Sequence, residues 1–84
     1  MLTQMSSIYR QVENSQRAIV YAEKALKLEP CFERAHQELM LDFRSMGRRD
    51  AIERQYRLCV NMLRRQEGRA PSAETRVLFQ TLMP

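Results

Sequence analysis

Residues 35–82 read AHQELMLDFRSMGRRDAIERQYRLCVNMLRRQEGRAPSAETRVLFQTL and carry the clearest structural pattern in the chain. The pattern predicts a helix, a Gly-Arg-Arg turn, a long helix, and a last helix that starts after Pro71-Ser72. Apolar residues recur every three or four positions in each helical part, so each part has one face suited to burial. Gly47 and Gly68 follow the first two helices, where a left-handed residue commonly ends a helix.

The three predicted helices each have a specific buried face. In the helix from about Glu33 to Met46 the face consists of Ala35, Leu39, Phe43 and Met46. In the long helix it consists of Ile52, Tyr56, Cys59 and Leu63, with Leu58 and Met62 beside them. In the last helix it consists of Leu78 and Leu82, with Val77 or Phe79. Ser72 is the predicted N-cap of the last helix, and Glu74 lies in its first turn, where a negative charge is favourable.

Two further helices are predicted upstream. The first has Leu2, Met5, Ile8, Tyr9 and Val12 on one face. Asn14 or Ser15 is the expected cap of the second, which presents a stripe of small residues at Ala18, Ala22 and Ala25, closed by Leu26 and Leu28. Pro30 ends this second helix, because the residue before a proline disfavours the helical conformation.

The chain repeats itself with a period of 34 residues. Apolar residues pair at this spacing in Met5 and Leu39, Tyr9 and Phe43, Ala22 and Tyr56, and Ala25 and Cys59. A period of about 34 residues is typical of tetratricopeptide helical hairpins. We therefore predict an all-α fold: one tetratricopeptide-like domain over residues 1–84, with about five antiparallel helices in a short right-handed array.

Composition agrees with a small helical domain. Of the 84 residues, 44% are apolar and 29% charged, with two Gly and a net charge of +4. The positive charge is concentrated in residues 43–84, where nine arginines face four acidic residues. No apolar run approaches the roughly 18 residues of a membrane span, so a cytoplasmic location is predicted. The two cysteines are expected to stay reduced.

Four segments in this order resemble a known family: AIVYAEKALKLEP, ERAHQELM, GRRDAIERQY and PSAETRVLF. The chain from about Ala18 to Leu82 resembles the bacterial transcriptional activator domain (BTAD) of SARP-type regulators, which is itself tetratricopeptide-like. The resemblance implies a role in transcription regulation. It also implies that the chain is a fragment of a larger regulator, in which a winged-helix DNA-binding domain precedes it.

A basic surface is predicted on and around the fourth helix. It comprises Arg48, Arg49, Arg54, Arg57, Arg64 and Arg65, with Arg69 close by. Guanidinium groups suit phosphate and carboxylate partners, so this surface is a candidate for binding DNA or an acidic protein. The alternative is a solvated helix face. No aromatic residues are interleaved with the arginines, as they are in surfaces that stack on bases.

A second candidate site lies on the first helices of the two hairpins, which line the concave side of tetratricopeptide arrays. Arg10 and Arg44 occupy equivalent positions there, 34 residues apart, and Arg34 and Gln37 are close by in sequence. These four residues could hold an acidic segment of a partner protein. Solvated arginines without a ligand are the alternative.

No catalytic or metal-binding pattern is present in the sequence. His36 is the single histidine and the chain has two cysteines, Cys31 and Cys59, without a Cys-x-x-Cys spacing. Cys59 lies at the position equivalent to Ala25 and is predicted to be a small buried residue. We therefore predict no enzyme activity, no metal and no cofactor.

The predicted partners are proteins: a second copy of the chain, another part of the regulator, or RNA polymerase. Self-association is expected if Leu2, Ile8, Val12, Phe79 and Leu82 remain uncovered at the two ends of the array. DNA is expected to be bound only through the missing upstream domain, and no membrane contact is predicted. The alternative functions are a free-standing adaptor that binds a peptide in its concave groove, and direct DNA binding by the basic surface.

Overall fold

The computed structural model describes the backbone of residues 2–83 and the side chains of residue 14 and residues 16–83. Its described part is all-helical, with four helices: α1 (Leu2–Leu28), α2 (Glu33–Ser45), α3 (Arg49–Glu67) and α4 (Ala73–Leu82). The all-α fold is confirmed. The predicted face of Leu2, Met5, Ile8, Tyr9 and Val12, and the candidate Arg10, lie outside the residues whose side chains are described.

The helix count differs from the sequence prediction, because the first two predicted helices form one helix. α1 runs through Asn14 and Ser15 without interruption for 27 residues, about 40 Å at the rise of an α-helix. The segment from Val12 to Arg17 contains neither glycine nor proline, and asparagine and serine lower helix propensity only slightly. A capping residue alone therefore does not end a helix here.

α2 is the central helix and packs against α1, α3 and α4. On the α1 side, Ala22, Ala35 and Leu39 form a buried cluster bordered by Ile19, Ala25, Leu26 and Phe43. The small-residue stripe of α1 thus allows α2 to approach closely. On the opposite side, Met40, Ile52 and Leu82 form a second cluster, which joins α2 to α3 and α4.

The predicted helix ends are confirmed in the second half of the chain. Gly47 and Gly68 both have positive φ, +69° and +63°. After α2, the N–H of Arg48 donates to the carbonyl of Phe43 and the N–H of Gly47 to that of Arg44, which is the Schellman arrangement. Ser72 is the N-cap of α4 and accepts a hydrogen bond from the N–H of Thr75.

Several apolar residues lie elsewhere than predicted. Leu28, expected to close the stripe of α1, is 85% exposed, and Leu58 and Val77 are also exposed. Leu82 is buried in the core, and the Phe79 ring stacks on that of Tyr56 with centroids 4.0 Å apart. Leu82 is therefore used within the fold, and Phe79 is partly covered by Tyr56.

Candidate protein-binding surfaces

Glu33, at the start of α2, joins three parts of the chain. Its carboxylate accepts hydrogen bonds from the Thr75 hydroxyl at 2.6 Å, from both the backbone N–H and the hydroxyl of Ser72 at 3.0 Å, and from the Arg69 guanidinium at 2.6 Å. Arg69 also donates to Glu67 at 2.6 Å. The start of α4 and the loop that follows α3 are thereby fixed to the first turn of α2.

The hydrogen bonds around Glu33 control its charge. Burial alone would raise the pKa of this carboxyl group, but the donors Thr75, Arg69 and Ser72 stabilise the ionised form more and lower the pKa to about 2. Thr75 is fully buried, and its hydroxyl also accepts a hydrogen bond from the Gln37 amide at 2.8 Å. Glu33 is thus a negatively charged anchor of the fold throughout the physiological pH range.

His36 connects α2 to α3, as Glu33 connects α2 to α4. Its ring is buried, with Nε2 2.9 Å from the Pro30 carbonyl and Nδ1 2.7 Å from the Gln55 amide nitrogen. A neutral imidazole satisfies both contacts, because Nε2–H donates to the carbonyl and Nδ1 accepts from the amide. Burial lowers the pKa of His36, opposed by the Pro30 carbonyl and the charge of Glu33. Both ring nitrogens are used within the fold.

The cysteines are separate thiols. Cys31 is half-buried, and its Sγ lies 3.3 Å from the Met62 carbonyl, to which it donates. Cys59 is buried as predicted, and burial raises the pKa of its thiol to about 12. Within the described residues, no three His, Cys, Asp or Glu side chains are grouped so that they could hold a metal ion.

One open cleft, of about 530 Å³, lies between α2 and the start of α4. We call it the acidic cleft, and it is lined by Glu33, Arg34, Gln37, Glu38, Leu41, Ser72 and Glu74. Two of the predicted concave residues are here, but both interact with the protein itself. Arg34 lies 3.6 Å from Glu38, and Gln37 donates to Thr75. Arg44 is exposed on α2 and does not line this cleft.

A second depression runs along α2 between α1 and α3. It consists of a cleft of about 380 Å³ and one of about 250 Å³, which share Gln55 and Leu58. We call it the apolar groove; its lining also includes Glu23, Leu26, Lys27, Leu39, Phe43, Arg48, Ala51 and Arg54. α1 and α3 both pack on α2 but, over their described residues, not on each other, which leaves this groove open.

The predicted basic surface is exposed, and its arginines have different surroundings. Arg54 pairs with Asp50 at 3.0 Å and Arg57 with Glu53 at 2.5 Å, each one turn away on α3. The Arg48 guanidinium lies over the Phe43 ring, 5.7 Å from its centroid. Arg49 is exposed at the start of α3, and Arg64 and Arg65 are exposed in its last turn. Arg69, held by Glu33 and Glu67, belongs to the fold more than to this surface.

Sequence reasoning missed Glu33, Thr75 and Gln55, which make the long-range polar contacts. The PSAET segment does indicate an N-cap at Ser72, but no pattern in the sequence pairs it with a glutamate 39 residues away. The apolar groove has no signal in the sequence either, because the periodicity predicts Leu58 on the buried face of its helix, whereas it is 43% exposed.

Comparison with known proteins gives one clear result. The family model described as the bacterial transcriptional activator domain matches residues 1–83. A search of curated proteins found no match, and neither did a search of solved structures. No helix within residues 2–83 is both long and apolar enough to cross a membrane. Since the family model covers almost the whole chain, this protein belongs to the bacterial transcriptional activator domain family.

Proposed function

We propose that the chain regulates transcription by contacting other proteins, as a cytoplasmic domain of a larger regulator that carries its DNA-binding domain elsewhere. This proposal rests on the family match over residues 1–83. The partner is a second copy, the DNA-binding domain of the same regulator, or RNA polymerase. The domain acts by binding and performs no chemistry.

The surface of the domain is compatible with this role. Its open clefts include two of different character, the acidic cleft and the apolar groove. The hydrogen bonds of Glu33 and His36 fix α4 and α3 to α2, and these three helices form much of the lining of both clefts. A rigid scaffold with open clefts between helices is the usual arrangement by which helical-repeat domains bind other proteins.

Two experiments test the proposal. An antibody raised against this chain should detect, in a lysate of the source organism, a protein far larger than 10.0 kDa. In that larger protein, deletion of these residues should abolish activation of a reporter gene while binding to promoter DNA is retained. Retained activation after the deletion would contradict a role in activation by contact.

The alternative function is that of a free-standing adaptor that holds a peptide on the concave side. The volume of the acidic cleft, about 530 Å³, favours this reading. Three carboxylates, those of Glu33, Glu38 and Glu74, line the cleft with a single arginine, so a basic peptide fits it better than an acidic one. An antibody signal near 10 kDa and no larger protein would favour the adaptor.

A further inference from the structure

The apolar groove has an exposed leucine at its centre. Leu58 is 43% exposed and borders both clefts of the groove. The residue 34 positions earlier is Lys24, which is exposed on α1. The repeat pattern therefore does not require an apolar residue at this position. Leu26, Leu39 and Phe43 extend the apolar lining to either side of Leu58.

Charge distinguishes the apolar groove from the acidic cleft. Three basic side chains and one acidic side chain line the groove: Lys27, Arg48, Arg54 and Glu23. The acidic cleft has the opposite balance, with three carboxylates and one arginine. A negatively charged partner would therefore be attracted to the groove between α1 and α3 and repelled from the cleft between α2 and α4.

The arginines at the groove can donate further hydrogen bonds to a partner. The Arg48 guanidinium lies over the Phe43 ring, 5.7 Å from its centroid, and this contact with the ring face does not use up its N–H donors. Arg54 donates one Nη2 hydrogen bond to Asp50, and the pair is about 70% exposed on both sides. A guanidinium has five N–H donors, so a carboxylate of a partner can bind beside Asp50 without displacing it.

We propose that the apolar groove binds an acidic amphipathic helix of a partner protein. Apolar side chains on one face of that helix cover Leu58, and carboxylates at its edges pair with Arg48 and Arg54. An amphipathic helix in a groove is a common mode of peptide recognition, and its anchors recur every three or four residues. This inference rests on the proposed function, that the domain acts by contacting proteins, and it names the surface and the chemistry of the partner.

The test uses the whole 84-residue chain labelled with ¹⁵N and a synthetic amphipathic peptide of about 15 residues, with leucines on one face and glutamates on the other. Nuclear magnetic resonance should show saturable shifts of the amide signals of Leu26, Leu39 and Leu58, and little change at Leu41 and Glu74. A peptide of the same composition in scrambled order should give no saturable shifts. Failure of the amphipathic peptide to bind, or shifts centred on the acidic cleft, would overturn the proposal.

Matched variants test whether the peptide binds in the apolar groove or is attracted only by the overall charge of the chain. Leu58→Lys should weaken peptide binding by more than about tenfold, whereas Leu41→Lys, at a leucine 46% exposed beside the acidic cleft, should change it less than about twofold. Arg54→Glu should likewise weaken binding, and Arg57→Glu, one turn away and outside the groove lining, should have a much smaller effect. Circular dichroism checks that each variant is folded. Equal effects of Leu58→Lys and Leu41→Lys would contradict the proposal.

Two other results would give different conclusions. Light scattering that finds a dimer, converted to a monomer by Leu58→Lys, would replace the partner helix with a second copy of the chain. If the peptide fails to bind but deletion of the domain still abolishes reporter activation, the proposed function stands and this surface assignment is wrong.

Discussion

The hydroxyl of Thr75 donates a 2.6 Å hydrogen bond to the carboxylate of Glu33, 42 residues away in sequence, and so joins α4 to α2. Thr75 is fully buried, and Glu33 accepts three further hydrogen bonds from Ser72 and Arg69. Hydrogen bonds to a charged acceptor are stronger than those between neutral groups. This contact therefore holds α4 in place, and with it one wall of the acidic cleft.

The first prediction concerns Glu33 and acid stability. Because the folded pKa of Glu33 is about 2, against 4.5 as the ordinary value, the unfolded chain binds this proton first as pH falls. The stabilisation is complete above about pH 4.5 and is lost as pH falls toward 2. We expect Glu33→Gln to lower the free energy of unfolding by about 1–3 kcal/mol at pH 7, with a smaller difference at pH 3.

Urea denaturation at several pH values measures the difference in the free energy of unfolding between the wild type and Glu33→Gln. Glu38→Gln is the control, because Glu38 lies on the same helix and makes an exposed ion pair at 3.6 Å. That variant should change stability by less than about 1 kcal/mol at any pH. An equal loss in both variants would show that Glu33 has no special role.

The second prediction concerns Thr75. Thr75→Val keeps the shape of the side chain but removes the hydroxyl that donates to Glu33 and accepts from Gln37. Glu33 then loses one of its four hydrogen bonds and the Gln37 amide loses its acceptor, and we expect a loss of about 1–3 kcal/mol in the free energy of unfolding. Thr75→Ser keeps the hydroxyl and should be clearly more stable than Thr75→Val. Thermal denaturation of the two variants gives the comparison.

Local signals in the sequence account for the elements that were predicted correctly. Gly47, Gly68 and Ser72 act on their own segment of chain, since a left-handed glycine or a capping hydroxyl ends or starts a helix wherever it occurs. The burial of Ala35 and Leu39 in α2, and of Ile52, Cys59 and Leu63 in α3, follows from periodicity in the same way. The expected break at Asn14 failed because a cap favours a helix start but does not prevent a helix from continuing.

The remaining features depend on contacts between distant segments. Glu33 and Thr75 are polar residues that would ordinarily be assigned to the surface, and their pairing exists only once α4 packs on α2. Gln55 and His36 are a further example, at 2.7 Å between α3 and α2. The exposure of Leu58 depends on how far apart α1 and α3 lie, which periodicity within one helix does not specify. The apolar groove was therefore not predictable from the sequence.

The third prediction concerns His36, the single histidine of the chain. Burial lowers its pKa below the ordinary value of 6.5, so the unfolded chain binds a proton more readily than the folded one. Stability attributable to His36 is therefore present above pH 6.5 and decreases as pH falls below it. We expect its ring proton signals to titrate below pH 6.5 in nuclear magnetic resonance spectra of the folded chain.

A variant distinguishes the contribution of His36 to the pH dependence of stability from the contributions of other groups that titrate in acid. In His36→Gln, the free energy of unfolding should change less between pH 7 and pH 5 than in the wild type, even if its value at pH 7 is lower. Gln55→Ala leaves the histidine in place but removes a donor to the neutral ring, so its pH dependence should lie between those of the wild type and His36→Gln. A histidine that titrates normally at pH 6.5 would contradict the buried neutral ring.

The fourth prediction concerns Gly47, whose φ of +69° lies in the left-handed region. A Cβ at this position would meet no atom within 4 Å, so the cost of Gly47→Ala is conformational and not a clash. We expect a loss of about 1 kcal/mol in the free energy of unfolding, measured by urea denaturation. Gly47→Asn should cost less, because asparagine tolerates this conformation better than alanine does.

The last prediction decides whether the arginines of α3 bind DNA directly. Arg54 and Arg57 already pair with Asp50 and Glu53, which reduces the net charge that they present to phosphates, whereas Arg64 is exposed at the end of α3. We expect the chain to bind duplex DNA weakly and the triple variant Arg54→Ala, Arg57→Ala, Arg64→Ala to bind it with nearly the same affinity. Fluorescence anisotropy with labelled duplex at two salt concentrations measures this. Tight binding that falls steeply with salt and is lost in the triple variant would contradict this expectation and make α3 a DNA-contacting helix. In that case each removed phosphate contact should lower the slope of log affinity against log salt concentration by roughly one unit.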